Sequence, residues 1–556
     1  MQSSLEKLPP ELALAISQFP NLYHSLRIDP YSLILPDRRC PCLIPWAKEE
    51  YLQHVRHYSC IWTPAVDSMP IARWDRIAMP PSHLKLQQIT EMIHGEYLLT
   101  FEWNSFNGSL PHFIIPFLKN CPKLQSLTFP LSNIAYFDPQ DYEKLRLPAL
   151  QKLRVFDLAP TPLNMMLIVS LINQSSNLEH LSIHADEFTS DRTVVTPNPP
   201  VRRGFKWASG FAAHISRFTP IPDLKTLVAL SVYSELANGK ALRSLCIEGL
   251  PLDSTLGDYL AACNTLENLT IRNVSEVQDV GSIFQQHQFK LRRLHILSSH
   301  AQLAIFRSLV ENLLPGLETL IFLTSDRRDR GASEDTETLR NLLTNSAGER
   351  TRYVFNQGTL DRHSATLKRL AIHDNIYDAL IRFSPRQPFP QLLGWGPLKL
   401  TEFSTTCNFN WTSLYTTVVT APTVAALRDT LQILYLVPDD VGFNRYSPFD
   451  GLERFAIQIG IHQWLRSTYR DIQHRPPLRY IIYGLICDLL FVVDWVPNRD
   501  TSPSSERWLS TIQRYGLAKT YPELRGETFE LYDVDFQVDS GRDLLPPFRY
   551  HTKRQG

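Results

Sequence analysis

An α/β solenoid, with short parallel strands and helices alternating along the chain and stacking unit on unit, is the fold that this sequence predicts. Three observations predict it. A hexamer with apolar residues at its first, fourth and sixth positions recurs ten times. The segments between its copies switch to helical apolar spacing. At 556 residues the chain also exceeds the size at which one hydrophobic core keeps growing, so it must divide into domains or extend as repeats.

The hexamer starts at Leu124 (with Leu127 and Phe129), at Leu150 (Leu153, Val155) and at Leu178 (Leu181, Ile183). It returns at Leu242 (Leu245, Ile247), Leu266 (Leu269, Ile271), Leu291 (Leu294, Ile296) and Leu317 (Leu320, Phe322). Further copies start at Leu367 (Leu370, Ile372), Leu431 (Leu434, Leu436) and Leu452 (Phe455, Ile457). The four starts from Leu242 to Leu317 are 24, 25 and 26 residues apart. That spacing falls inside the ~20–29-residue period of leucine-rich repeats. The fourth and sixth positions lie two apart and so share one face of a short strand, while the first turns into the same core just before it.

Between strands, Met165, Leu167, Ile168, Leu171 and Ile172 after Pro162 make a helical apolar face, as do Leu256 to Ala262 and Leu303 to Leu314. One strand and one helix cannot bury their own apolar faces, so units must stack, strands on the inner curve and helices outside. The competing arrangement, scattered strands of an ordinary α/β domain, keeps no fixed period and usually carries a glycine-rich turn.

The solenoid is expected over residues 50–458. Polar insertions break it near 186–207, where Thr196-Pro197-Asn198-Pro199-Pro200 falls, and near 324–364; Asn498 to Arg507 reads as a further loop. Residues 459–556 are expected to form a mixed α/β cap from Leu478 to Val493, Trp508 to Tyr515 and Phe529 to Phe536, because the last apolar face of a stack must be covered.

Lys plus Arg equals Asp plus Glu at 56 each, so there is no basic excess with which to hold phosphates, and the short cluster Arg327-Arg328-Asp329-Arg330 does not supply one. No nucleic-acid partner is expected. The longest apolar run, Tyr480 to Val493, is 14 residues and interrupted by Gly484 and Asp488, too short to cross a bilayer. Met1 to Lys7 has no secretory-signal character, and eight scattered cysteines make no disulfide framework, so a reducing compartment, cytoplasm or nucleus, is expected.

At the N-terminus, Leu8-Pro9-Pro10-Glu11-Leu12 starts a short amphipathic helix: the prolines pre-set the backbone, Glu11 suits the positive helix end, and Leu12 and Ile16 share a face. This opening resembles that of an F-box, and Asn21-Leu22-Tyr23-His24-Ser25-Leu26-Arg27-Ile28 resembles an F-box exit leading into repeats. With the repeats behind it, the chain resembles the fungal family of F-box proteins with leucine-rich repeats. Residues 1–30 are then an F-box remnant, shorter than the family's and without its central Trp and basic residues. The resemblance implies a substrate receptor of an SCF-type ubiquitin ligase. Leu8, Pro9, Pro10, Glu11, Leu12 and Ile16 would meet the cullin–RING adaptor, and the repeats would capture a protein substrate. The alternative is a free-standing repeat scaffold with no ligase role.

Cys40, Cys42, His54, His57 and Cys60 are the one cluster of metal-ligand types, but their spacing matches no common zinc finger. Leu52 to His57 reads better as the first repeat strand, with His54 and His57 on opposite faces, so no metal is expected. Nor is an enzyme or cofactor: nucleophile-elbow, zincin and P-loop motifs are absent, Gly394-Trp395-Gly396 lacks a dinucleotide-binding context, and Asp533 and Asp535 alternate with apolar residues as on a solvated strand. An enzymatic alternative would have to centre near Asp488, Asp494 or Asp533. The expected functional surface is the inner curve, where His180, Ser182, His184, Asn268, Thr270, Arg272, Arg293, His295, Arg369 and His373 stand. Their basic and polar character suits an acidic or phosphorylated partner segment.

Overall fold

The computed structural model describes residues 24–28, 52–61, 80–104, 111, 113–131, 145–159, 161–185, 224–274, 277, 280–298, 300–324, 362–373, 398–407, 428–438, 477–483, 489–493 and 509–512. The chain forms two compact units. One comprises Met1–Thr265 with Val274–Gln278 and Asp539–Arg542; the other comprises Leu266–Asn273 with Asp279–Val538 and Asp543–Gly556. Both are α/β with parallel strands.

The first unit holds β1 (Ser25–Ile28), β2 (His57–Ile61), β3 (Thr100–Asn104), β4 (Ser126–Pro130), β5 (Lys152–Leu158), β6 (His180–Ala185) and β7 (Ser244–Glu248), each parallel to the next. Its helices are α1 (Pro80–Glu91), α2 (Ile114–Leu118), α3 (Pro162–Gln174), α4 (Leu224–Ala237) and α5 (Ser254–Ala262), with α3 packed on α4 and α4 on α5. The second unit holds β8 (Asn268–Arg272), α6 (Val280–Gln286), β9 (Arg293–Ser298), α7 (His300–Glu311), β10 (Thr319–Thr324), β11 (Arg369–His373), β12 (Glu402–Cys407), β13 (Ile433–Pro438) and β14 (Tyr480–Tyr483). Strands β8 to β14 are parallel; β15 (Leu489–Val493) and β16 (Leu509–Ile512) then pair antiparallel.

Strand register follows the hexamer. In the first unit Leu26, Tyr58, Phe101, Leu127, Leu153, Leu181 and Leu245 are successive partners. In the second, Leu269, Leu294, Leu320, Leu370, Phe403, Leu434 and Ile481 are. Every one of these fourth-position residues except the half-buried Leu26 is buried. A one-residue slip would carry the whole row to the opposite face, so burial of the row holds the register.

The backbone repeats as faithfully. The carbonyl at the second hexamer position accepts from the amides at the second and third positions of the next unit. Gln151 O takes Glu179 and His180 N–H at 2.8 and 2.9 Å, Glu179 O takes Arg243 and Ser244 at 2.8 and 3.0 Å, and Glu318 O takes Lys368 and Arg369 at 2.9 and 3.1 Å. A threonine just before the hexamer adds a side-chain bond: Thr265 Oγ1 donates to Leu242 O at 2.9 Å, and Thr366 Oγ1 to Leu317 O at 2.8 Å. Three eighth positions take positive φ: Gly249 and Asn273, just past β7 and β8, at 73° and 47°, and Asp157, at the register irregularity near the end of β5, at 50°. These are the residue types that enter the left-handed region most readily. At Gly249 a Cβ would also stand 2.7 Å from Ala185 O.

Helix starts are set locally. Thr161 caps α3, its hydroxyl accepting the Asn164 N–H at 3.2 Å with Pro162 in the first turn, and Asp253 caps α5 by accepting the Leu256 N–H at 3.0 Å. Around β2 and β3 the core is aromatic: Phe101 contacts Tyr58 and Phe117 at centroid distances of 5.4 and 5.9 Å, and Trp103 meets Phe113 edge-on at 5.9 Å.

Three boundaries differ from expectation. Leu52 to His54 form a turn, and β2 starts only at His57. Ser25–Ile28, placed within the F-box-like segment, is β1 and pairs with β2. The apolar run Tyr480 to Val493 is divided between β14, which continues the parallel row, and β15, which turns back antiparallel. The segments near 186–207 and 498–507, the copy starting at Leu452 and Phe529 to Phe536 lie outside the described residues. Among the described residues no helix is long and apolar enough to cross a membrane.

Candidate functional site on the strand face

The third, fifth and seventh hexamer positions point away from the strand–helix core, so register alone decides which of them meet. In the first unit the fifth positions Arg154, Ser182 and Cys246 are successive partners, and at the seventh position His184 is paired with Glu248. His184 sits at the centre of a polar row. Its Nε2 is 2.6 Å from Ser182 Oγ and its Nδ1 is 2.6 Å from Glu248 Oε2, and Cys246 is the register partner of Ser182 on the next strand. The His184 and Glu248 side chains retain 15% and 20% exposure, so the row is accessible at its edge.

Burial alone would push the His184 imidazole down, but Cys246 and Glu248 outweigh it and hold it up to about 9. At neutral pH both ring nitrogens therefore carry protons and donate, to Ser182 Oγ and to the Glu248 carboxylate. A serine, histidine and acid in this order are the members of an acyl-transfer relay, but a doubly protonated ring has no lone pair with which to take the serine proton. At neutral pH the row is a cross-strand ion pair. Because the folded-state pKa is raised, the stabilisation is complete below the ordinary histidine range and is lost as pH climbs toward about 9. The urea midpoint of the native chain is expected to fall across that window. In His184→Gln the same stretch of the profile should be flatter, and identical slopes would show that the pair is not coupled to folding.

In the second unit the face is enclosed at its middle. Arg272 and His295 are 8% and 7% exposed, not on an open surface as the inner-curve assignment expects, and Leu297, Ile321 and Ala371 form a buried apolar cluster on the strands. Arg272 Nη2 lies 3.1 Å from His295 Nδ1. Burial first and the Arg272 cation second keep His295 far below its ordinary pKa, so the ring is neutral and Nδ1 accepts the arginine hydrogen. Arg369 Nε is 3.5 Å from Glu402 Oε1, its register partner. Along the hexamer's second position a charge ladder runs from Glu267 through Arg292 to Glu318, at 3.6 and 2.7 Å.

His180, Ser182, Asn268, Thr270 and Arg293 are partly exposed on their strands; His373 lies on β11 opposite Leu323, and its side chain is outside the described residues. Ser182 and His184 are brought together, as are Arg272 and His295. Cys246, Glu248 and Glu402 complete these contacts and were not singled out from sequence. The signal was present: with Leu178 and Leu242 aligned as first positions, Ser182 falls on Cys246 and His184 on Glu248.

His57 Nδ1 is 3.0 Å from Thr100 Oγ1 on the exposed face, Cys60 is buried in the core on the opposite face, and His54 stands exposed in the preceding turn. Among the described residues no three His, Cys, Asp or Glu side chains converge as metal ligands. Cys40, Cys42, Gly394 to Gly396, Asp488, Asp494, Asp533, Asp535 and the adaptor-binding candidates Leu8, Pro9, Pro10, Glu11, Leu12 and Ile16 lie outside the described residues. No protein-family model and no characterised protein matches the chain.

Proposed function

We propose that this chain is a leucine-rich-repeat protein-binding module, and that residues 8–16 dock it on the adaptor of a cullin–RING ubiquitin ligase as an F-box does. The observation that supports the repeat half is the hexamer register. Leucine, aromatic and isoleucine fourth-position residues succeed one another strand by strand in each unit, while the third and fifth positions of β5 to β9 carry mainly polar side chains on the other face. Stacked parallel strands of this kind provide an extended surface for a partner chain. Glu248 and Glu402 neutralise His184 and Arg369, so recognition draws on a mixed polar row more than on the net positive charge that an acidic partner would need. The ligase half rests on the resemblance of Leu8-Pro9-Pro10-Glu11-Leu12 and places the protein in the cytoplasm or nucleus.

The test is capture of the purified adaptor by the full chain. Because Ser25–Ile28 already belongs to the sheet, the control is a substitution, Leu8→Ala with Leu12→Ala, and not a deletion through residue 30. Capture by the native chain, reduced tenfold or more in the double variant, is the expected result. No capture by folded native chain leaves the free-standing repeat scaffold as the function.

A further inference from the structure

We infer that His363 is an acid-sensitive latch: while its ring is neutral, the turn 362–366 stays docked on the end of α7, and protonation of the ring releases it. The inference does not depend on the ligase reading or on what the strand face binds.

The turn joins two repeats of the second unit. Arg362 Nη1 donates to the carbonyls of Glu311 and Leu313 at 3.1 and 3.3 Å, where α7 ends. A cation there faces the negative end of the helix dipole. Thr366 Oγ1 donates to Leu317 O at 2.8 Å. The turn then leads straight into β11, with the Thr366 and Leu367 amides donating to His363 O at 2.9 and 2.8 Å.

The Leu367 bond identifies the position. In other repeats the amide of the first hexamer residue is accepted by the carbonyl of Cys121, for Leu124, of Leu147, for Leu150, and of Ser175, for Leu178; each of these three residues is fully buried. Leu147 needs no polar partner, and Ser175 Oγ has one in Leu171 O at 2.6 Å. His363 fills the same slot at 1% exposure, and neither of its ring nitrogens has a hydrogen-bond partner. A neutral imidazole encloses one donor and one acceptor there; an imidazolium would enclose two donors and a charge.

The charged residues on the elements that meet at the turn are Arg307 and Glu311 of α7, Glu318 beside Leu317, and Arg362, Lys368 and Arg369 in the stretch around His363. Glu318 is engaged by Arg292 at 2.7 Å. Arg362 is the one that acts on the ring, and it opposes a second positive charge. Burial first and Arg362 second hold the imidazole down to about 4. Because this lies below the ~6.5 of a free histidine, docking of the turn is complete above that value and weakens as pH falls toward the docked one. The turn is held by side-chain bonds at its ends and has no place in the ladder of strands, so it opens before the sheet does.

Amide exchange in the full native chain, corrected for the intrinsic pH dependence of exchange, reads the latch directly. From about pH 7.5 to about pH 5, protection of the Thr366 and Leu367 amides is expected to fall about twentyfold, the ratio set by a free value of ~6.5 and a docked value of about 4. The Arg292 amide, bonded to Glu267 O at 2.8 Å two repeats earlier, should hold its protection within about twofold. His363→Leu puts into the slot the residue that stands there as Leu147, and should flatten the Thr366 and Leu367 profile. Unchanged protection at Leu367 across the range would overturn the proposal, because the ring then takes its proton in place. An equal fall at Arg292 would overturn it too, because global unfolding then exposes the ring. Both results are read in the native chain, so no variant has to fold.

Discussion

Replacing Leu294 by aspartate is expected to abolish the cooperative stability of the second unit, at a cost of about 3–5 kcal/mol, the range for an uncompensated charge left in a core. Leu294 is fully buried, with Leu269 and Leu320 as its register neighbours on β8 and β10, all three within the apolar row. No cation stands in that row to pair with a new carboxylate. The strand cannot relieve the strain by slipping one residue, because that would move Ile296 out of the core as well. Lys290→Asp introduces the same side chain at an exposed position four residues earlier, and is expected to change stability by no more than about 0.5 kcal/mol. Urea unfolding followed by circular dichroism, with amide exchange over β8 to β10, reads both variants. An unchanged midpoint in Leu294→Asp would remove Leu294 from the core and, with it, the hexamer register.

That register was legible in sequence only where its apolar positions are leucine, isoleucine, valine or phenylalanine. The copies at Leu124, Leu150, Leu178, Leu242, Leu266, Leu291, Leu317, Leu367 and Leu431 each lead into a strand. Strands β2 and β3 obey the same rule with other residues, Val55, Tyr58 and Cys60 and then Leu98, Phe101 and Trp103, and β12 and β14 match its first and fourth positions with Leu400 and Phe403 and with Leu478 and Ile481. Packing asks for an apolar side chain of suitable volume at these sites, not for leucine itself. A leucine-based pattern therefore under-counts the strands wherever aromatics fill the core, as around Phe101 and Trp103. The left-handed eighth position, carried by Asp157, Gly249 and Asn273, was likewise hidden, because no single residue type is required there.

The candidate site was less legible than the fold, for a different reason. Ser182 and His184 were recognisable as surface positions from strand alternation alone, but the groups that hold His184 charged, Cys246 and Glu248, stand on another strand, Glu248 64 residues away in sequence. Composition does not relate Glu248 to His184; only the alignment of one hexamer on the next, realised in the pairing of β6 with β7, does. Alternation also says which face a residue takes without saying whether that face is open. Arg272, His295 and Ser404 obey the alternation and are nonetheless buried, and Arg272 and His295 meet each other there at 3.1 Å. The His184–Glu248 and Arg369–Glu402 pairs show the same logic in both units: a basic residue at one repeat position meets an acid at the same position of the next repeat.

Asn164→Asp, nearly identical in shape, is expected to cost about 3–5 kcal/mol at neutral pH, because the amide does two jobs that a carboxylate cannot. Asn164 is fully buried in the first turn of α3, and its Nδ2 donates to Leu131 O at 2.7 Å and to Ala159 O at 2.6 Å. Those carbonyls follow β4 and β5, so one side chain ties two strand ends to the start of a helix. The orientation of the amide is not in question, since an oxygen would not sit that close to two carbonyl oxygens. Aspartate leaves both carbonyls unpaired and faces them with negative charge; the helix N-terminus returns only about 0.3–1 kcal/mol. Protonation restores one donor. The folded state therefore raises the carboxyl pKa above its unfolded value near ~3.9. The defect is smallest below that value and grows as pH rises through the folded-state pKa. Thermal melts at about pH 5 and pH 8 should show Asn164→Asp losing more at the higher pH, while Asn164→Ala loses the same at both. Equal deficits for the aspartate variant at the two pH values would mean that the carboxylate escapes to solvent, and that α3 does not depend on Asn164 for its attachment to β4 and β5.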